Sequence, residues 1–275
     1  NSKIIWRGES VLRGVESSSS TKQKIKRFIL KMLFNNCDAI MYSCSGNKEY
    51  LKFYGVEDSK LFFIPCAVNN DFFQNERKKY AHNIGDVKDE LKIDHNDMII
   101  LFSARFTMRK RPLDLLKALT QIDNKNITVI FVGDGLERKT MEDFSKEHGI
   151  KAVFTGFKNQ SEISKYYTIS DIDAVISDYD PSPKSMNEAM NFGMPIIVTE
   201  VVGTAHDLVK DNVNGYVIKV GDITTMAQKI DFFNKNRIKI KEMGKESLKI
   251  IEQWNYKKDV EGIMEAYKYA SRGKN

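Results

Sequence analysis

From residue 98 onward, short β-branched apolar runs alternate with stretches of helical period. Runs at 98–103, 127–132, 152–155, 173–177 and 195–199 predict strands. Between them the spacing predicts helices at about 111–120, 136–148, 161–169 and 184–192, then further helix across 222–252. Such alternation is the signature of a parallel sheet wrapped by helices, a doubly wound α/β domain. The front repeats the style on a smaller scale, with strands near 3–6, 38–42 and 61–64 and helices near 22–35 and 45–54. Residues 74–97 are polar, charged and poor in apolar period, so the domain boundary is expected there. The division is therefore an α/β part over 1–73, a linker over 74–97, an α/β domain over 98–253, and a C-terminal helix over 254–275 that packs back on the first part. The serine run Ser17 to Ser20 predicts a loop. The opening Lys3-Ile4-Ile5-Trp6 reads as a strand without its predecessors, so the sequence is expected to begin inside a longer protein.

Composition narrows the class. The 275 residues are 41% hydrophobic and 29% charged, enough apolar content for a real core and too much for a disordered chain. No uninterrupted apolar run is long enough to cross a bilayer and no secretion signal is visible, which leads to an expected cytoplasmic location. Three distant cysteines, Cys37, Cys44 and Cys66, suit free thiols better than a disulfide framework or a zinc site. The net charge of +6 is small and spread along the chain, so no nucleic-acid partner is expected. The basic helix near 22–35 fits either a packed helix with a solvated face or one resting on an anionic membrane, as would suit a lipid-linked acceptor.

The most informative segment runs from Asp180 to Pro195. Ser182 suits a helix N-cap, Pro183 the first helical position and Gly193 the residue past the end, with Met186, Ala189 and Met190 as the buried face. The first-turn amides of Lys184, Ser185 and Met186 then lack intrahelical acceptors at the positive end of the helix dipole, which makes an anion site. Lys184 at that end is unfavourable unless an anion such as a diphosphate compensates it. Asp180 and Glu188 flank the same space, and ionised carboxylates suit vicinal sugar hydroxyls. An N-capping acid and a solvated helix Glu would account for the same spacing.

This segment resembles the E-x7-E region of group 1 (family 4) glycosyltransferases through Asp180, Asn187-Glu188-Ala189-Met190, Gly193 and Pro195. Arg105 followed by Lys110, the turn Gly133-Asp134-Gly135-Leu136-Glu137, Thr155-Gly156-Phe157, Val202-Gly203-Thr204-Ala205 and Asn214-Gly215-Tyr216 fall in family order. The resemblance implies a GT-B fold with a complete C-terminal Rossmann-like domain that binds a nucleotide sugar, and the last part of an N-terminal, acceptor-side domain. It implies a retaining, metal-independent sugar transfer from a UDP- or GDP-sugar, with no cofactor, to a saccharide or lipid-linked acceptor in cell-surface polysaccharide synthesis. Arg105 and Lys110 would grip the diphosphate, Asp180 the transferred sugar and Glu188 the ribose. Gly156 and Phe157 would border the base, with Ser182, Ser185, Met186, Gly203 and Thr204 near the donor. Arg7 and Glu9 would lie on the acceptor side. The chain departs from the pattern at Asp180, where the family usually has Glu, and in the loop Pro181 to Ser185.

Three other readings fit parts of the chain. Gly133-Asp134-Gly135 follows a strand as in a dinucleotide-binding dehydrogenase, but Arg138 occupies the third glycine position and no acid ends the next strand. Asp171-Ile172-Asp173 or Asp178-Tyr179-Asp180 would serve a metal-dependent transferase, yet both fit better as strand flanks, so no metal site is expected. A non-catalytic nucleotide-sugar-binding module of the same fold is the remaining alternative.

Overall fold

The computed structural model describes residues 2–14, 19–123 and 125–272. Its first elements are β1 (Ile5–Arg7), α1 (Thr21–Asn35), β2 (Ala39–Tyr42), α2 (Ser45–Phe53), β3 (Leu61–Phe63), α3 (Asn70–Tyr80) and α4 (Ile84–Glu90). The larger unit follows as β4 (Met98–Ser103), α5 (Pro112–Leu119), β5 (Ile127–Val132), α6 (Arg138–Glu147), β6 (Lys151–Gly156), α7 (Gln160–Ile169), β7 (Ile172–Val175), α8 (Lys184–Asn191), β8 (Ile196–Thr199), α9 (Ala205–Leu208) and β9 (Gly215–Ile218). Three helices close the chain: α10 (Ile223–Lys235), α11 (Arg237–Ile251) and α12 (Tyr256–Ser271). Ser17 and Ser18 lie outside the described residues, whereas Ser20 caps α1 by accepting from the amide of Gln23.

Continuous apolar runs become central strands because a strand covered by helices on both faces has no wet side. All six residues of β5 and the first five of β4 are buried. The sheet is parallel, in the order β6-β5-β4-β7-β8-β9. Two apolar clusters fill its faces, one around Leu101, Ile130 and Val198, the other around Phe102, Phe131 and Ile197. Since neighbouring residues point to opposite faces, this assignment follows from the pleat.

The smaller parallel sheet has the order β1-β2-β3. Helix α12 lies on it through small residues, with Ala266 and Ala270 packed against Ala39. At Gly262 an added Cβ would sit 2.0 Å from the Phe63 carbonyl, so only glycine allows this approach of helix to strand.

The polar stretch 74–97 contains most of α3 and all of α4, which the sequence periodicity did not indicate. Helix α3 starts where Asn69 accepts from the amide of Phe72, and it seats the fully buried Phe73 against Tyr167 and Phe192. Phe73, with the half-buried Phe72 beside it, supplies the apolar anchoring of a helix that is otherwise polar, which is why its apolar period is faint. The core around α7 and α8 continues through Val11, Cys44, Ala67 and Val68, so the two sheets meet along an apolar seam.

Candidate active site

Strands β4 and β7 are neighbours whose following helices leave in opposite directions, and open α/β sheets bind ligands in the crevice beyond such a pair. A cavity of about 430 Å³ opens on the β4 side of that crevice, over the ends of β4, β5 and β6, walled by Ser103, Ala104, Arg105, Val132, Gly133, Asp134, Phe157, Lys158 and Ile163. The β4 and β5 ends approach very closely. A Cβ on Gly133 would lie 2.0 Å from the Ala104 carbonyl, and one on Gly135 2.2 Å from that of Phe106. Gly156, at φ +72°, accepts from the amide of Gly133, and Phe157 beyond it is 79% exposed at the cavity wall. Arg105 is exposed on the same rim.

A short 3-10 turn, Met108–Lys110, follows β4 and ends at Arg111 in the left-handed conformation before Pro112 opens α5. This turn aims Lys110 at Asp180, and the two form an ion pair whose side chains are only 15% and 12% exposed. Asp180 is fixed from behind, since its carbonyl accepts from the amide of Gly203 at 2.9 Å and its backbone bridges to Val202. The amide of Asp178 donates to the Arg109 carbonyl at 2.9 Å, tying the β4 and β7 loops together. Two residues 70 apart in sequence thus become one desolvated charge pair.

Helix α8 begins one residue later than its residue types indicate. Pro183 occupies the N-cap, with no side-chain cap, and the Ser182 hydroxyl is buried without a partner among the described residues. Pro183 lacks an N–H and fixes φ near the extended region, so it serves as well outside the helix as inside it. Met186, Ala189 and Met190 are buried, and Ser185 is half-buried beside them.

Lys184, expected beside a diphosphate, reaches the other way. Its ammonium donates to the carbonyls of Cys66 at 2.6 Å and Ala67 at 3.2 Å, and Asn187 adds a bond to Cys66 at 3.0 Å. Those carbonyls belong to an irregular loop with no strand partner, so cationic and amide donors across the seam satisfy them. Arg7 and Glu9 lie on the other side of that loop: the Cys66 thiol donates to Glu9 at 2.9 Å, and Arg7 is 3.8 Å from Glu9.

Glu188 turns inward and accepts from the Tyr167 hydroxyl at 2.8 Å. Burial pushes its carboxyl above the ordinary range, although the Tyr167 bond opposes this. Beside it lies Asp173, which the sequence offers only as a strand-flanking acid and not as a donor-site residue. Both of its oxygens are buried without a hydrogen-bond partner among the described residues. Desolvation, and then the Glu188 charge, hold Asp173 well above its usual value. The available signal was a lone acid inside the otherwise apolar run Ile172 to Val175.

A pH prediction follows. A carboxyl raised in the folded state contributes stability that is complete below its unfolded pKa and is lost as pH rises through the folded value. Asp173→Asn, neutral at every pH, should therefore lose less stability than the parent between pH 5 and pH 8. The effect is read as a smaller drop in melting temperature between the two pH values in the variant than in the parent. Calorimetry at both pH values measures it, and an identical pH slope in parent and variant would contradict the assignment.

Gly203 and Thr204 sit where the two sheets meet, outside the walls of the cavity. A Cβ on Gly203 would be 2.3 Å from the Pro181 carbonyl and 2.7 Å from Val11, and the Thr204 hydroxyl is buried without a partner among the described residues. Asp207 crosses the same seam to accept from both the amide and the hydroxyl of Ser45, at 2.9 and 2.8 Å. Arg13 stacks on Tyr179, 3.7 Å from the ring centroid, next to the Asp180 loop. Neither Asp207 nor Arg13 was legible as a site residue, because each acts on a partner far along the chain.

The model of the family described as glycosyl transferases group 1 matches residues 83–250. The chain belongs to that family. A 26% identical relative over 216 residues, 76% of this chain and 54% of its own length, is a Campylobacter jejuni α-1,4-N-acetyl-D-galactosaminyltransferase whose name specifies an undecaprenol-diphosphate-linked acceptor. An uncharacterized glycosyltransferase of Methanocaldococcus jannaschii is 28% identical over 190 residues, 66% of this chain and 47% of that protein. The chain spans about half the length of the curated relatives it matches. An Anabaena protein solved in complex with UDP superposes with a TM-score of 0.81 at 19% identity, over 97% of this chain and 72% of that one. The fold is accordingly of the GT-B type, with a Rossmann-like domain and strands of a second one. Within this group 1 chain, the matched region contains the cavity, Lys110, Asp180 and Glu188, while Arg7 and Glu9 precede it.

Proposed function

We propose that the protein transfers a sugar from a UDP-sugar to a saccharide or lipid-linked acceptor, with retention at the anomeric carbon and without a metal. The observation that carries this reading is the desolvated Lys110–Asp180 pair, whose lysine lies on the same loop after β4 as the cavity-wall residue Arg105. Arg105 and Lys110 would flank the diphosphate, with the base against Gly156 and Phe157 and the ribose on Glu188. Asp180 would accept from a hydroxyl of the transferred sugar. UDP is preferred over GDP because the Anabaena neighbour was solved with UDP and with UDP-glucose, and an Escherichia coli relative, 25% identical over 262 residues, is named for UDP-galactose. That relative and the Campylobacter one are named for diphosphoundecaprenol acceptors, which favours a lipid-linked acceptor, work at the cytoplasmic membrane face and a place in cell-surface polysaccharide synthesis.

Cleavage of the bond between the anomeric carbon and the phosphate oxygen places negative charge on the departing diphosphate. Lys110, fixed by Asp180 and largely withdrawn from water, and Arg105 on the open rim would stabilise that charge where it develops, the kind of electrostatic effect that dominates such reactions. The acceptor oxygen bonds to the same face of the anomeric carbon, and its proton passes to the departing phosphate oxygen, so no protein nucleophile is needed. Arg7 and Glu9, at and just past the end of β1, would meet the acceptor. Lys184, Gly203 and Thr204 have seam contacts instead and carry no part in this scheme.

A thermal-shift panel of UDP, GDP and their sugars tests the donor. Saturating UDP, at about 100 times its dissociation constant, should stabilise the fold by about 2.7 kcal/mol, and Arg105→Ala should reduce that shift. NMR of the product should show a retained anomeric configuration. A response to GDP alone, or an inverted product, would overturn the reading.

A further inference from the structure

Helix α1 carries five cations, Lys22, Lys24, Lys26, Arg27 and Lys31, and no acid. At about 100° per residue, Gln23, Leu30 and Phe34 fall on one side and Ile25, Phe28, Ile29 and Met32 on the opposite side. The first set faces the protein. Phe34 is buried edge-on against Trp6 and Tyr54, with centroids at 5.0 and 6.4 Å. The second set faces outward: Phe28 is 71% exposed, and Ile25, Ile29, Met32 and Leu33 lie between 45% and 55%. Lys24 and Lys31 flank this apolar stripe on one side, Lys22 and Lys26 on the other. Arg27 and Lys26 also rest over the rings of Phe53 and Tyr54, at 4.7 and 5.7 Å, which braces the helix against α2. Among the described residues none of the five cations forms an ion pair.

A water-facing helix normally exposes its polar side; this one exposes five large apolar residues, Ile25, Phe28, Ile29, Met32 and Leu33. We propose that α1 is a docking surface for an anionic lipid bilayer, lying in the plane of the interface with Phe28 and Met32 inserted. The charge pattern selects that occupant. An acid-free stripe with cations along both edges complements acyl chains below and lipid phosphates on either side. A protein partner for so apolar a strip would not call for positive charge on both borders. The helix is suited to lie on a membrane and not to cross it, since among the described residues no helix is long and apolar enough to span one. The proposal stands independently of the sugar-transfer reading.

Co-sedimentation of the whole chain with vesicles of phosphatidylglycerol and phosphatidylethanolamine, against phosphatidylcholine vesicles, tests it. Binding is expected to the anionic vesicles and to be released by raised salt. Lys22, Lys24 and Lys31, all changed to alanine, should weaken binding about a hundredfold, at roughly fivefold per charge. Phe28→Ser with Met32→Ser should weaken it more than tenfold. All these side chains are exposed, so the variants should melt like the parent, and UDP binding, unaffected by either set, separates this question from the donor site. Equal binding to neutral vesicles, no binding, or binding unchanged in both variants would overturn the proposal. So would a dimer in sedimentation velocity that the Phe28→Ser, Met32→Ser variant dissolves, because the stripe would then belong to a second copy of the chain.

Discussion

Lys110→Ala is expected to lower the rate of sugar transfer roughly a hundredfold to a thousandfold, with a much smaller loss of nucleotide affinity. Charge on the departing diphosphate is greatest in the transition state, so a cation aimed at it acts mainly on kcat. The Lys110 ammonium is mostly withdrawn from water and held by Asp180, so little reorganisation is needed when the charge appears. The same burial complicates the single variant. Removing one partner of a buried pair leaves the other uncompensated, at about 3–5 kcal/mol of stability. The double variant Lys110→Met, Asp180→Asn removes both charges and should recover much of that stability without recovering the rate. Single-turnover transfer and thermal unfolding on both variants decide the matter. Transfer restored in the double variant would mean that the pair serves the fold alone.

Gly133→Ala is expected to destabilise the protein by about 2–4 kcal/mol and to abolish the UDP-dependent thermal shift. Two costs combine at this position. Its φ of +139° is one that side chains rarely adopt, and the new Cβ would lie 2.0 Å from the backbone carbonyl of Ala104. Backbone is the part least able to move, so the β4 and β5 ends must separate. Ala104 and Gly133 are both walls of the cavity, and their separation should damage the binding site along with the fold. Gly149→Ala is the control. It also has a positive φ, +62°, but an added Cβ meets nothing within 4 Å, so only about 1 kcal/mol should be lost and UDP binding retained. Equal losses at both positions would show that dihedral strain, not close approach, dominates.

Much of the architecture was legible because it is written in local terms. The runs that became β4 and β5 are continuously apolar, and their ends were placed to the residue. Gly193 and Pro195 end α8 as their backbone preferences require. The order of motifs around Arg105, Asp180 and Glu188 was also enough to indicate a sugar-nucleotide transferase fold, and the match over 83–250 places the chain in that family. Helices α3 and α4 escaped notice because their apolar content is a few anchors, such as Phe73, whose partners lie on α7 and α8.

What the chain could not announce locally is where a polar side chain finds its partner. Lys184 occupies a helix start, which suggests an anion, yet two unpaired carbonyls at Cys66 and Ala67 lie within reach across the seam and take it. Asp180 and Lys110 are separate features in sequence and a single charge pair in space. Asp173 reads as a strand acid until Glu188 and Tyr167 enclose it. Periodicity, caps and glycines depend on the residue and its near neighbours, so the sequence by itself determined the elements with a strong apolar period and their layering, but not α3 and α4. Ion pairing, desolvation and proton affinity depend on groups brought together from opposite ends of the sheet, and only the tertiary structure decided them.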